Sequence, residues 1–188
     1  MLDAAQLLML AKGFTATSVD EICETAGLSK GSFFHYFESK EHLGKEVLGR
    51  YWFSVQQLVK EGAFRQKTDP LQRIYGYVDF VIVMANGGLL NQGCLVGTFA
   101  QELSDTHPEI RSECARCFDQ WAKAITRDLV AAKAKYAPKE RFSPQSVAEH
   151  FIAVLEGSLI LAKAKQDMGL VEKNLRHFKR YLKSLFGK

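Results

Sequence analysis

Residues 18–37 read SVDEICETAGLSKGSFFHYF. Ser18 stands three residues before Glu21, which is the spacing of a capping box at the start of a helix. Gly27 supplies the backbone freedom that a sharp turn needs, and Ser29 is a second hydroxyl cap just after it. The stretch therefore predicts two short helices joined by a tight turn, the arrangement called a helix-turn-helix.

The second helix of this pair has a polar front and an apolar back. Phe33 and Phe37 lie four residues apart and can pack into a core from the same face. A helix with short polar donors on its front fits the major groove of DNA, where such groups reach phosphates and base edges. An ordinary helical corner is the alternative. Three hydroxyl caps, at Ser18, Ser29 and Ser39, favour the interpretation as a helix-turn-helix that binds the major groove. The polar front consists of Ser29, Lys30, Ser32, His35 and Tyr36.

Helical periodicity continues along the rest of the chain, and no stretch alternates in the way typical of a strand. The sequence therefore predicts an all-α fold of about nine helices. Their expected ranges are 2–12, 18–26, 29–36, 40–63, 70–85, 94–103, 108–136, 143–167 and 170–186.

The composition is that of a globular protein, because 47% of the 188 residues are hydrophobic and 24% are charged. The longest apolar run, residues 80–85, is far shorter than the roughly 20 residues of a membrane-spanning helix. The N-terminal residues show no signal-peptide pattern, so we expect a cytoplasmic protein without a membrane partner. The net charge of +4 is compatible with a nucleic-acid partner.

The charge is unevenly placed. Residues 1–50 hold five basic and seven acidic side chains, so the excess of positive charge lies in the remainder of the chain. If residues 1–50 bind DNA, they must use a few well-placed groups, because no bulk positive field is available there.

Residues 13–22, GFTATSVDEI, and 26–43, AGLSKGSFFHYFESKEHL, strongly resemble the DNA-binding domain of TetR-family transcriptional repressors. The match runs contiguously over about residues 4–50, and the remainder is similar to the family in helical architecture. The resemblance implies a DNA-binding domain at 1–50 with its helix-turn-helix at 18–37. It also implies a regulatory and dimerisation domain at 51–188, no enzymatic activity and no cofactor. The partners it implies are a double-stranded operator, a small-molecule effector and a second copy of the chain.

The resemblance also assigns residues to the DNA contact. Phe34 stands where the family usually has Tyr, so a phosphate hydrogen bond from a phenol is lost there. Family members usually begin with a basic arm, whereas Met1 here stands at the helix start, and we expect weaker contacts from that side. The assigned residues are Thr17, Ser18, Ser29, Lys30, Gly31, Ser32, Phe34, His35, Tyr36 and Lys40.

Two further sites are predicted in the remainder of the chain. Aromatic side chains on the middle helices are either plain core or the lining of a cavity for an apolar effector. That lining would consist of Trp52, Tyr77, Phe80, Cys94, Phe99, Phe118 and Trp121. The last two helices carry bulky apolar residues around small ones, which favours half of a four-helix dimer interface. The expected interface residues are Phe151, Val154, Leu155, Ser158, Leu175, Phe178 and Leu182.

The cysteines leave a second function open. Cys94 follows Gly93 at a predicted helix start, where the helix dipole lowers a thiol pKa. Its position resembles the reactive cysteine of electrophile-sensing relatives, with Lys163 where such a relative places a lysine; a small core thiol is the alternative. Cys114 and Cys117 have the spacing of half a zinc site or a redox pair, but two half-buried thiols are favoured. The five histidines do not cluster, so no metal site is predicted.

Overall fold

A computed structural model describes residues 1–187. Over that range the chain forms nine α-helices and one short 3₁₀ turn, without a strand, and the all-α prediction is confirmed there. The helices are α1 Leu2–Lys12, α2 Val19–Ala26, α3 Lys30–Tyr36, α4 Lys40–Glu61, α5 Pro70–Asn86, α6 Leu95–Leu103, α7 Pro108–Tyr136, α8 Pro144–Lys165 and α9 Gly169–Leu185. The 3₁₀ turn is Ala63–Gln66.

The hydroxyl caps expected from the sequence are present. Ser18 Oγ accepts the Glu21 N–H at 3.2 Å, and the Glu21 carboxylate accepts the Ser18 N–H at 2.9 Å, which completes the capping box of α2. Ser29 Oγ accepts from the Ser32 N–H at 3.1 Å, and Ser39 Oγ accepts from the His42 N–H at 3.1 Å. These caps satisfy backbone donors that a helix start leaves open.

The helix ends follow the backbone signals closely. Gly27 takes the left-handed conformation, with φ of 65°, and ends α2. α4 ends at Glu61, earlier than expected, because Gly62 turns to an extended ψ of 129° before the 3₁₀ turn. α8 ends at Lys165, since Gln166 adopts a left-handed φ of 52°.

The chain divides into two compact units. One unit comprises Met1–Leu58 and Cys94–Cys117, and the other comprises Val59–Gly93 and the chain from Phe118 onward. α4 and α7 continue from one unit into the other. In the first unit α1 packs against α2 and α6, and in the second α9 packs against α8 and α5. The DNA-binding candidates therefore share a unit with α6 and the first part of α7.

No helix in residues 1–187 is long and apolar enough to cross a membrane.

Candidate nucleic-acid interface

α3 is a short helix fixed to the first unit by its apolar back. The tight turn before it is closed by a hydrogen bond from the Leu28 N–H to the Cys23 carbonyl at 2.9 Å. Phe33 is fully buried, and its ring centre lies 5.7 Å from that of Phe37, which is half-buried. The expected apolar anchor is thus built mainly by Phe33. Its burial fixes which side of α3 faces solvent.

The opposite face of α3 is open to solvent. Tyr36 is 68% exposed and Phe34 is 55% exposed, which is unusual for side chains of this size. The remaining exposed positions are Ser29, Lys30, Gly31 and His35. Ser32 is half-buried, and its hydroxyl lies 3.0 Å from Ser29 Oγ. The structure therefore leaves most of the predicted groove-facing residues of α3 accessible to solvent.

Lys30 does not stand alone on this face. Its ammonium lies 2.8 Å from the Asp20 carboxylate on α2, and both side chains are exposed. The hydrogen bond with Asp20, reinforced by its charge, raises the pKa of Lys30. An exposed pair of this kind is weak, so the ammonium can exchange Asp20 for a phosphate at little cost.

Thr17 is a correction to the sequence prediction. The side chain is fully buried, and its hydroxyl donates to the Gly13 carbonyl at 2.7 Å. The hydroxyl is therefore not available to a phosphate, and Thr17 stabilises the turn between α1 and α2 instead. Ser18, the neighbouring prediction, is exposed and caps α2.

Lys40 also has an internal role. Its ammonium donates to the carbonyl oxygens of Phe14 at 3.2 Å and Thr17 at 3.1 Å. It also lies 4.4 Å from the centre of the Phe14 ring. A phosphate contact from Lys40 would have to share or replace these bonds.

Sequence reasoning missed Glu102 as a partner of this region. Its carboxylate, from α6, accepts backbone N–H groups of Phe14 and Thr15. No local pattern links α6 to the α1–α2 turn, because the contact depends on the tertiary fold.

The predicted effector residues fall in both units. Trp52, Cys94 and Phe99 belong to the first unit, where Phe99 packs edge to face on Phe14 with ring centres 5.7 Å apart. Tyr77, Phe80, Phe118 and Trp121 belong to the second unit. There the Trp121 indole donates to the Tyr77 hydroxyl at 2.6 Å. Phe99 thus packs against the α1–α2 turn.

A small apolar cavity adjoins the second-unit aromatics. It has a volume of about 10 Å³, room for about one water molecule. Its walls are Ile74, Tyr77, Val78, Ile125, Leu129, Val147, Phe151, Phe178 and Leu182. A small-molecule effector would have to enlarge this space in order to bind there.

Most of the predicted dimer residues lie inside the single chain, which corrects their assignment. These residues are already buried within a single copy of the chain, so they pack the second unit internally and are not available to a second copy. Val154 is half-buried. The exposed large apolar side chains of the same two helices are Ile160, Leu161 and Tyr181. The buried residues are Phe151, Leu155, Ser158, Leu175, Phe178 and Leu182.

Cys114 and Cys117 are more buried than expected. Burial raises the pKa of Cys114 to about 12 and that of Cys117 to about 11, so neither is a ready thiolate. Both are fully buried rather than half-buried. Cys94 is 9% exposed and occupies the N-cap of α6. Within residues 1–187 no three His, Cys, Asp or Glu side chains are grouped as metal ligands.

A short helix with exposed polar side chains that follows its neighbour through a tight turn is the arrangement found in helix-turn-helix DNA-binding proteins. Comparison with known proteins gives the family. Residues 1–47 match the model of bacterial regulatory proteins of the tetR family, and residues 70–178 match the tetracyclin repressor-like C-terminal domain. The chain belongs to the TetR family of transcriptional regulators.

Named relatives and solved structures agree with this assignment. The chain is 28% identical over 160 residues to the HTH-type transcriptional repressor DhaR of Mycobacterium sp. (strain GP1), covering 85% of this chain and 79% of that one. The crystal structure of regulatory protein TetR from Rhodobacter sphaeroides superposes with a TM-score of 0.83 at 26% identity, over 95% of both chains. The reduced form of E. coli NemR gives a TM-score of 0.79 at 26% identity, over 95% of this chain and 93% of that one.

Proposed function

We propose that the chain is a ligand-responsive transcriptional repressor that binds a palindromic operator as a homodimer and is released by a small-molecule effector. The observation that carries the proposal is the exposure of polar and aromatic side chains on α3, while Phe33 of the same helix is buried. Residues 1–50 would bind DNA, and residues 51–188 would sense the effector and dimerise. Because the proposed partner is an operator, we also propose that the chain acts in the cytoplasm.

The proposed DNA contacts are divided between positioning and reading. Phosphate contacts fix a protein on the duplex, and base-edge contacts read its sequence. Ser18 and Tyr36 suit phosphates, because both are exposed at the edges of the helix pair. The groove-facing set would be Ser29, Lys30, Gly31, Ser32, Phe34 and His35.

The proposed dimer presents two copies of α3 to one side of the duplex. Two recognition helices enter successive major grooves when they are about 34–36 Å apart. The exposed apolar residues Ile160, Leu161 and Tyr181 on α8 and α9 are the candidates for the paired surface. Such a surface, repeated by a twofold axis, buries apolar side chains that water otherwise contacts.

The proposed effector acts by shifting a conformational equilibrium. A ligand that binds better to a dimer with the wrong spacing of its α3 helices draws the population away from the DNA-bound form. The aromatic residues around Tyr77 and Trp121 would provide the site, with their cavity enlarged in the ligand-bound state. α4, which begins just after α3 and continues into the second unit, is the proposed lever.

Selection from randomised DNA tests the proposal. Duplexes retained by the purified protein should converge on a palindrome, and the selected duplex should be retarded in a gel. The pair Lys30→Ala with Tyr36→Ala should abolish retardation, whereas Lys123→Ala, an exposed lysine of α7, should leave it intact. Recovery of no common sequence, or retardation by the double variant, would refute the assignment of α3.

A thiol-sensing regulator acting through Cys94 is the second candidate. Cys94 is at the N-cap of α6, and the solved NemR relative is described as a reduced form. Exposure to N-ethylmaleimide should release operator from the wild type but not from Cys94→Ser. Cys114→Ser is the matched control and should respond like the wild type. Release from Cys94→Ser as well would exclude this candidate.

A further inference from the structure

One carboxylate of α6 holds the turn between α1 and α2. Glu102 accepts the Phe14 N–H at 2.8 Å and the Thr15 N–H at 2.7 Å. Burial alone would raise the pKa of Glu102, but these hydrogen bonds and the charge of Lys40 outweigh it and lower that pKa. The carboxylate is thus held in its charged form. Two backbone donors that follow the end of α1 have their acceptors on one side chain.

Gly13 allows this close approach. Its φ of +88° is a conformation that side chains rarely adopt, and a Cβ there would lie 2.7 Å from Glu102 Oε2. Any larger residue at position 13 would therefore displace the carboxylate. The absence of a Cβ at position 13 therefore lets the Glu102 carboxylate reach the backbone of the turn.

Lys40 also holds this turn. The ammonium donates to the Phe14 and Thr17 carbonyls, while Glu102 receives the N–H groups. The Phe14 ring is buried, edge to face with His107 at 5.5 Å between ring centres. The Glu102 carboxylate and the Lys40 ammonium thus fix the segment of backbone that leads into Ser18, the cap of α2.

We propose that Glu102 is a positioning residue for operator recognition, which orients the helix-turn-helix through the α1–α2 turn. This inference rests on the proposed function. Non-specific binding needs only positive charge near phosphates, whereas specific binding needs α3 seated correctly on base edges. Removal of an acid normally strengthens attraction to DNA. Removal of Glu102 will instead weaken binding to the operator.

The test compares specific with non-specific affinity. Glu102→Ala, Glu102→Gln and the matched control Gln101→Ala are titrated by fluorescence anisotropy with the selected operator and with a scrambled duplex. Gln101 is exposed, and its side-chain amide donates to the Gly97 carbonyl within α6. Circular dichroism and thermal unfolding establish the folded fraction of each variant at the titration temperature.

We expect Glu102→Ala to weaken operator binding about tenfold, because two charge-assisted hydrogen bonds are removed. Binding to the scrambled duplex should stay the same or tighten. Glu102→Gln keeps one acceptor oxygen and should fall between wild type and alanine. Gln101→Ala should stay within about twofold of wild type for both duplexes. Amide hydrogen exchange at Phe14 and Thr15 should accelerate in the two Glu102 variants.

Several results would overturn the inference. Operator affinity retained by folded Glu102→Ala would show that the turn needs no carboxylate. Equal losses of affinity for both duplexes, in proportion to the unfolded fraction, would show that Glu102 only stabilises the fold. A wild type that prefers no duplex would refute the proposed function itself, and that outcome is read from the wild-type titration alone.

Discussion

At the scale of single residues, the buried Thr17 hydroxyl gives a direct test of the corrected assignment. Thr17→Val keeps the shape of the side chain and removes its hydrogen bond to Gly13. We expect the free energy of unfolding in urea to fall by about 1 kcal/mol, since one buried hydrogen bond is removed. Thr25→Val, at an exposed position of α2, should change it by less than about 0.5 kcal/mol. An unchanged unfolding free energy for Thr17→Val would contradict the structural role.

Glu21 makes part of the stability depend on pH. The hydrogen bond from Lys12, followed by those from Ser18, lowers the pKa of Glu21 from 4.5 to about 2. A lowered pKa means that the stabilising contribution is complete above about 4.5 and is lost as the pH falls toward about 2. Thermal unfolding of Glu21→Gln should therefore differ most from wild type at neutral pH, and the difference should disappear in acid.

The control for this pH dependence is Glu24→Gln, an exposed carboxylate on the same helix. Its difference from wild type should be smaller at neutral pH than that of Glu21→Gln. A constant gap between Glu21→Gln and wild type from neutral pH down to about 2 would contradict the role assigned to the ionised carboxylate.

Residue roles were predictable where the cause is local. The caps at Ser18, Ser29 and Ser39 depend on atoms within three residues, so their spacing was sufficient. Thr17 was misassigned because its burial depends on how α1 and α2 pack. The sequence does not reveal tertiary burial at a single polar position.

At the scale of the elements, the α2–α3 pair carries a testable ion pair. If Lys30 leaves Asp20 for a phosphate, Asp20→Asn should tighten operator binding, since it removes a competitor and a negative charge. Lys30→Gln should weaken binding and reduce the slope of log affinity against log salt by about 0.9 for each phosphate that the lysine neutralises. A slope unchanged by Lys30→Gln would show that Lys30 does not bind a phosphate.

Helix type and order could be predicted from the sequence because the apolar period and the caps agree over long segments. α7 begins at Pro108 and ends at Tyr136, as expected. Most of the predicted dimer residues were misassigned, because an apolar stripe predicts burial but does not show whether the same chain or a second copy covers it. α8 and α9 bury Phe151 and Phe178 against each other, with ring centres 5.4 Å apart.

At the scale of the whole molecule, the proposed dimer depends on apolar side chains that a single chain leaves exposed. Leu161 on α8 is 46% exposed. Leu161→Glu should shift the protein to monomers in sedimentation velocity, because a charge would be desolvated in the interface. Val130→Glu, at a 52% exposed position of α7, is the control and should stay dimeric. A dimer that persists in Leu161→Glu would exclude this face.

A salt titration of the wild type against its selected operator and a scrambled duplex tests the central claim most directly. We predict two chains per operator, and an affinity that falls about a hundredfold or more between about 50 and 200 mM salt, as bound phosphates release their counterions. The operator should remain the preferred duplex throughout. One chain per duplex, equal affinity for both sequences or an affinity insensitive to salt would contradict a groove-reading α3 presented by a dimer.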